Sequence, residues 1–340
     1  MVHELSGREM SMEHYCIYHR EIPAILGECA DTPCMQRLRN VGMNCGCEYT
    51  SFPRFCGLKP YSRFDHSLGA ALIVRHFTHD DRQAVAGLLH DVATPVFAHV
   101  VDFLRGDYLV QEATEDGTRA VIEGDAKLTG ILSAYGLEVD DVCDYHRYPV
   151  ADNDSPRLSA DRLEYTLGNL LNYRIRTLDE IGAFYAGLSV GTAEDGQPEL
   201  VFSDAKTAED FAFASLACSK IYVSDEDRYA MQMLSELLRF ALDCGVLAEA
   251  DLYTTEPEVI AKLTADERTA AAWKRYCAYR TTRRRPEPED GGEWRRIPAK
   301  KRYIDPLIRG VGRVSAHSDA FRAARDAFLS DPQTDWIAGE

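Results

Sequence analysis

The feature that most constrains this 340-residue chain is an adjacent histidine and aspartate, His90-Asp91, at the end of the apolar run Ala86-Gly87-Leu88-Leu89. Arg82 to Leu89 reads as a helix that delivers both side chains into apolar surroundings. Buried there, each needs a partner, because an unpaired polar or charged group is expensive in such a place. Two other stretches offer partners: Arg63-Phe64-Asp65-His66-Ser67 and Asp161-Arg162-Leu163-Glu164-Tyr165. His66, His90, Asp91 and Asp161 together combine imidazole and carboxylate. That is a donor set for a first-row divalent ion which keeps positions open for water and a further ligand. One divalent metal ion is therefore expected, with Fe, Mn, Ni, Co, Zn and Mg all chemically admissible. A hydrogen-bonded pair at a helix end would account for His90 and Asp91, but not for four separate positions.

The rest of the sequence is that of a large, mostly helical chain. With 45% hydrophobic and 27% charged residues it can bury a sizeable core. No stretch is apolar enough to span a bilayer, and Met1 to Met10 lacks the apolar centre of a signal peptide. A cytoplasmic location, with no membrane partner, is the expectation. The ten cysteines then stay reduced. Cys34, Cys45, Cys47 and Cys56 lack paired C-x-x-C spacing, so packing and turns explain them better than a structural zinc.

Thr32-Pro33 can open a helix carrying Gln36-Arg37-Leu38-Arg39. Val41 to Pro60 reads as loop or short strands, and Ser67 to Phe77 as a buried helix with His66 at its start. A small helix after Pro95 is expected to carry Phe97, His99 and Asp102, with His99 and Asp102 on one face. Asp125 to Tyr135, Leu158 to Leu171 and much of Ala205 to Cys244 read as helices, and Ser189 to Ser203 as a hairpin around Glu194-Asp195-Gly196. The expected fold is mostly α: a helical core over 31–187, preceded by a segment 1–30, with a small β-hairpin and a helical C-terminal region over 188–340.

These motifs, in this order, resemble those of the HD superfamily of phosphohydrolases, within it the branch containing the dNTP triphosphohydrolases. The likeness runs from about Asp31 to Arg313. It rests on Asp31-Thr32-Pro33, Gln36-Arg37-Leu38-Arg39, Arg63 to Gly69, Ala86 to Asp91 followed by Pro95, Phe97 and His99, and Asp161 to Tyr165. The resemblance implies an HD-domain helical core and a phosphohydrolase acting on a nucleotide or related phosphorylated small molecule, working as a homo-oligomer. His66, His90, Asp91 and Asp161 would hold the metal, with Asp91 also orienting the reactive water. Arg63 and Arg162 would contact phosphate, their planar forks suiting two-point contact. Tyr165 would pack against a sugar. Asn169 stands where relatives read the sugar hydroxyl with an aspartate.

The chain also departs from that branch. Relatives continue His-Asp-x-Gly-His, whereas His90-Asp91-Val92-Ala93-Thr94 has threonine in place of the second histidine. The downstream Trp-x-His-Glu motif is met by Val110-Gln111-Glu112. Neither Thr94 nor Gln111 exchanges a proton near neutral pH as imidazole does, which leaves His99, Asp102 and Glu112 as the acid-base candidates. His146, a lone loop histidine, reads as exposed and idle. A second reading is a nucleotide-binding regulator with little or no turnover.

A third reading, nucleic-acid binding, ranks last for a chain of net charge −17. Charge is nevertheless uneven: Lys274 to Arg313 holds 13 Lys and Arg against 5 Asp and Glu. Within it, Arg283 to Glu293 reads as a mobile, solvated Pro/Gly loop. The compact run Lys300-Lys301-Arg302 is expected to serve an anionic ligand or a subunit contact.

Overall fold

The computed structural model describes residues 15–19, 21–106 and 117–340. The Arg63–Thr78 helix is its axis. Ser62 starts this helix with a capping box: its Oγ accepts from Asp65 N, and the Asp65 carboxylate accepts from Ser62 N at 2.9 Å. Every residue from Arg63 to Val74 is buried, so the helix is enclosed on all sides rather than amphipathic. The Asp81–Leu89 helix, capped by Asp80, packs antiparallel on it after a short turn at His79. The Ala160–Asn172 helix packs on its other side. Two glycines set how closely these helices approach. A Cβ at Gly69 would meet the Glu164 side chain at 2.6 Å, and one at Gly168 would meet Tyr61 Oη at 2.7 Å.

Around this trio lies one apolar cluster that includes Leu72, Leu88, Leu163 and Leu167. A second cluster forms on the Asp225–Asp243 helix, with Val96 to Leu104 and the Glu267–Ala278 helix packed against it. Tyr173 and Ile175 border both.

The hairpin is present as β1 (Leu188–Thr192) and β2 (Pro198–Phe202). It does not stand alone. The strand β3 (Thr282–Arg285) pairs antiparallel with β6 (Trp336–Gly339). Meanwhile β4 (Leu307–Ile308) joins β2 in parallel, and β5 (Gly312–Arg313) turns back on β4. Arg313 locks this four-stranded sheet with two-point contact to buried Glu199 and a further pair to Glu194.

Two expectations are corrected here. Arg283 to Arg285 are not a loop but lie on β3; Arg284 and Arg285 are exposed, as expected, though Arg284 pairs with Asp225 through Nε at 2.9 Å and Arg285 pairs with Glu289. The residues after Pro95 do not go straight into a helix. Phe97 and Ala98 take positive φ angles of 57° and 45°, and the helix begins only at Val100, with His99 as its N-cap. Burial of both apolar side chains, together with a hydrogen bond from Phe97 N to the Glu256 carboxylate at 3.2 Å, holds this uncommon turn. No helix among the described residues is long and apolar enough to cross a membrane.

Candidate metal centre

The axial helix presents His66, the Asp81–Leu89 helix ends into His90 and Asp91, and the first turn of the Ala160–Asn172 helix presents Asp161. A carboxylate in a first turn is favoured by the helix dipole. Three donor atoms, one each from His66, His90 and Asp161, lie within 4.8 Å of one another. His66 Nε2 is 3.2 Å from His90 Nε2 and 2.9 Å from Asp161 Oδ1, and His90 Nε2 is 3.7 Å from the same oxygen. Asp91 Oδ2 stands beside them, 3.6 Å from His90 Nε2 and 3.9 Å from His66 Nε2. Among the described residues no other histidine, cysteine or acidic group converges in this way.

Both imidazoles are oriented from behind. His90 Nδ1–H donates to the Gly87 carbonyl at 2.7 Å, and His66 Nδ1–H donates to Glu164 Oε2 at 2.6 Å. Glu164 is fully buried and also accepts from Tyr61 Oη at 2.5 Å. With both Nδ1 atoms engaged, both Nε2 atoms turn toward the two aspartates, as metal-ligating histidines do. Burial works against protonation of His66, yet its hydrogen bonds to Asp161 and Glu164 push its pKa up to about 10. Two imidazoles and two carboxylates at the wall of one cavity are a donor set that a divalent cation fits.

Asp91 has further partners. Burial alone would raise its pKa, but the Arg63 guanidinium, 2.9 Å away, and the two histidines hold it well below the usual carboxylate range. Its other oxygen accepts from Thr94 Oγ1 at 2.8 Å. Arg37 donates to the carbonyls of Val92 and Thr94, at 3.1 and 2.7 Å, fixing the turn behind the pair. Asp161 is likewise lowered, to about 2: burial opposes ionisation, but the hydrogen bond and charge of His66 outweigh it.

The cluster lines a cavity of about 1030 Å³. His99 lines it too, with Nδ1 2.8 Å from Asp102 Oδ2. Asp102 is fully buried, and burial keeps the His99 pKa below its ordinary value. Tyr165 reaches the wall, its ring centroid 6.3 Å from both His66 and Tyr222. Asn169 donates to Tyr222 Oη at 2.8 Å, while its buried Oδ1 has no hydrogen-bond partner.

Arg162 also lines the cavity, but its guanidinium is engaged by Asp152 at 3.0 Å, by the Arg157 carbonyl at 2.8 Å and by Asn153. It braces the loop 152–157. His146 is exposed, as expected, yet it lines the cavity and bonds Asp152 at 2.9 Å. Glu112, with Gln111, lies outside the described residues. Sequence reasoning passed over Glu164 and Tyr61, and also Asp227 and Tyr145, which line the cavity, the Tyr145 ring centroid 5.0 Å from that of His90. Glu164 had a signal: it stands three residues after Asp161, on the same helical face.

No family model matches the chain. It is 27% identical over 210 residues to the uncharacterized protein YdhJ of Bacillus subtilis (strain 168), across 61% of this chain and 62% of YdhJ, under two thirds of that relative's length. It is 25% identical over 307 residues to the metal-dependent phosphohydrolase cns2 of Cordyceps militaris, across 86% of this chain and 83% of that protein. The crystal structure of a phosphohydrolase from Bacteroides thetaiotaomicron superposes with a TM-score of 0.65 at 16% identity, covering 94% of this chain and 96% of that one. At that identity the solved neighbour shows the fold alone, and this chain shares its mostly α-helical architecture.

Proposed function

We propose that this chain is a metal-dependent phosphohydrolase whose His66, His90, Asp91 and Asp161 hold one divalent ion, and whose substrate is a nucleotide or related phosphorylated small molecule. The observation that carries the reading is the meeting of two imidazole nitrogens and two carboxylates at the wall of a cavity of about 1030 Å³. When bound, such an ion neutralises phosphate charge and lowers the pKa of a coordinated water. Asp91, kept ionised by Arg63, can also orient a water. Arg63 lines the cavity and spends Nη1 on Asp91, leaving other guanidinium N–H groups for a phosphate oxygen.

His99 is the acid-base group best placed to act. Its Nδ1–H is held by Asp102, so Nε2 is left to take up a proton and return it. Thr94 cannot share that work, because it is buried and its hydroxyl is spent on Asp91. Tyr165 and Tyr222, with Asn169 hydrogen-bonded to Tyr222, form an aromatic wall of the cavity suited to a sugar or base. The finer likeness to dNTP triphosphohydrolases belongs to this proposal as well, with the loss of the second histidine pointing to a changed leaving group.

The test is a screen of purified, metal-analysed protein against dNTPs, NTPs, monophosphates and cyclic or hyperphosphorylated nucleotides, reading both phosphate and nucleoside products. Metal-dependent product release is expected from at least one class. Micromolar binding of one class without any product would favour the regulator reading.

A further inference from the structure

Lys300 to Arg302 line the cavity, and Lys301 braces the end of the Asp319–Ser330 helix, its Nζ donating to the Phe328 and Leu329 carbonyls at 2.7 and 3.1 Å. Farther from the metal ligands the wall changes in kind. Asp161, Tyr165, Asn169 and Tyr173 recur every four residues along the Ala160–Asn172 helix and its C-cap, and all four line the cavity. Asn169 stands about 12 Å along the helix axis from Asp161. At the end of this row, Tyr173 Oη donates to Asn44 Oδ1 at 3.1 Å.

Asn44 opens a tight turn. Cys45 and Gly46 take positive φ angles of 52° and 81°, and Cys47 N donates back to the Asn44 carbonyl at 2.9 Å. Tyr276 Oη clamps the turn by donating to the Gly46 carbonyl at 2.9 Å. The turn follows directly on the pairing that sets Arg63: Met43 N donates to the Tyr61 carbonyl at 3.0 Å, and Arg63 N to the Val41 carbonyl at 2.8 Å. A left-handed cysteine is uncommon, and this one puts Asn44 and Cys45 on the cavity wall.

Asp227, in the first turn of the Asp225–Asp243 helix, reaches the same end, its Oδ1 3.8 Å from Cys47 Sγ. The cations beside it are spent on Asp225, by Arg228 at 2.7 Å and by Arg284 Nε at 2.9 Å. Asp227 itself has no ion pair among the described residues. Burial without a cation favours the neutral carboxyl, which carries one O–H donor beside one C=O acceptor. Asn44 Nδ2 adds a donor that makes no hydrogen bond among the described residues. Uncharged hydrogen-bonding groups, with soft apolar surface from Met43, Phe103 and Met231, suit a planar base and not a phosphate.

Resting on the phosphohydrolase reading above, we propose that this end of the cavity reads the base of a nucleotide, with Asp227 selecting bases that carry an amino group beside an unprotonated ring nitrogen, the pattern of adenine and cytosine, over their keto counterparts. The Asp227 O–H donates to the ring nitrogen, and its carbonyl oxygen accepts from the amino group.

The test uses the full, metal-loaded chain and calorimetric binding of adenosine and inosine, which differ at that edge alone and hold no phosphate to hydrolyse. Wild type is expected to bind adenosine roughly 10- to 100-fold more tightly. Asp227→Asn presents the same donor and acceptor, and should keep the difference. Asp227→Leu should erase it, with metal content unchanged and melting curves reporting the fold. Equal affinity of wild type for the two nucleosides, a preference for inosine, no binding of either, loss of the difference in Asp227→Asn, or its survival in a folded Asp227→Leu each overturns the proposal. Selective nucleoside binding by a chain that releases no phosphate from any nucleotide counts against the phosphohydrolase reading and leaves the base-reading pocket in place.

Discussion

His66 and Glu164 meet at 2.6 Å, Nδ1 to Oε2, in a part of the core where both are sealed from solvent. This contact turns the other ring nitrogen toward Asp161, 2.9 Å away, and so fixes the geometry of the whole cluster. Glu164→Gln keeps the size but loses the charge behind His66. It should lower metal affinity roughly 10- to 100-fold, read by metal analysis after dialysis against a graded chelator. Glu164→Ala strands both His66 and Tyr61, and should also destabilise the fold by about 3–5 kcal/mol. Unchanged metal affinity in Glu164→Gln would assign Glu164 to packing alone.

Arg63 is tied to both the substrate proposal and Asp91. Removing it as Arg63→Ala should weaken substrate binding by on the order of 1.5–3 kcal/mol. Its charge is also what keeps the Asp91 carboxyl low against the effect of burial. The acid limb of the activity profile should therefore move to higher pH in the variant, because Asp91 becomes easier to protonate. A wild-type pH profile and wild-type kinetics would leave Arg63 a structural residue.

Thr94 offers a smaller, local test. Its hydroxyl donates to Asp91 Oδ1 at 2.8 Å from a fully buried position. Thr94→Val leaves that oxygen short of a partner, and should cost about 1–3 kcal/mol of stability in urea unfolding. No loss would mean that the hydroxyl contributes nothing to holding Asp91.

Asp227 gives a pH-dependent stability. It lines the cavity, and burial pushes its pKa up to about 8, with Cys47 Sγ 3.8 Å away. The folded state therefore holds the proton where the unfolded chain has released it, between about 4 and 8. Its effect on stability is unfavourable in full above the folded value and fades as pH falls from the folded value to the unfolded one. Asp227→Asn should thus melt higher than wild type at pH 9, with the gap closing toward pH 3.5. A gap of constant size across that range would contradict the assignment.

The adjacent His-Asp pair, its place at the end of an apolar helix and the partners His66 and Asp161 were legible in the sequence, because a buried helix leaves few ways to accommodate two adjacent polar side chains. The hairpin was legible from its alternation around Asp195-Gly196. The turn at Phe97 and Ala98 was not. An apolar run after proline reads as helix, and only tertiary burial and the Glu256 carboxylate select the left-handed backbone. The strand at Arg283 to Arg285 was hidden for a different reason: its partner, Trp336 to Gly339, is remote in the chain, and three arginines in a row carry no strand alternation. Glu164 shares a helical face with Asp161, which was a signal, but that it turns back onto His66 shows only once Gly69 is seen to make room for it.

The central claim is that His66, His90, Asp91 and Asp161 form one metal site, and metal analysis of the His90→Ala/Asp91→Ala double variant tests it most directly. Wild type, loaded with a divalent ion and freed of excess, should retain about one ion per chain, while a folded double variant should retain none. A folded double variant that still carries one ion per chain would contradict the account.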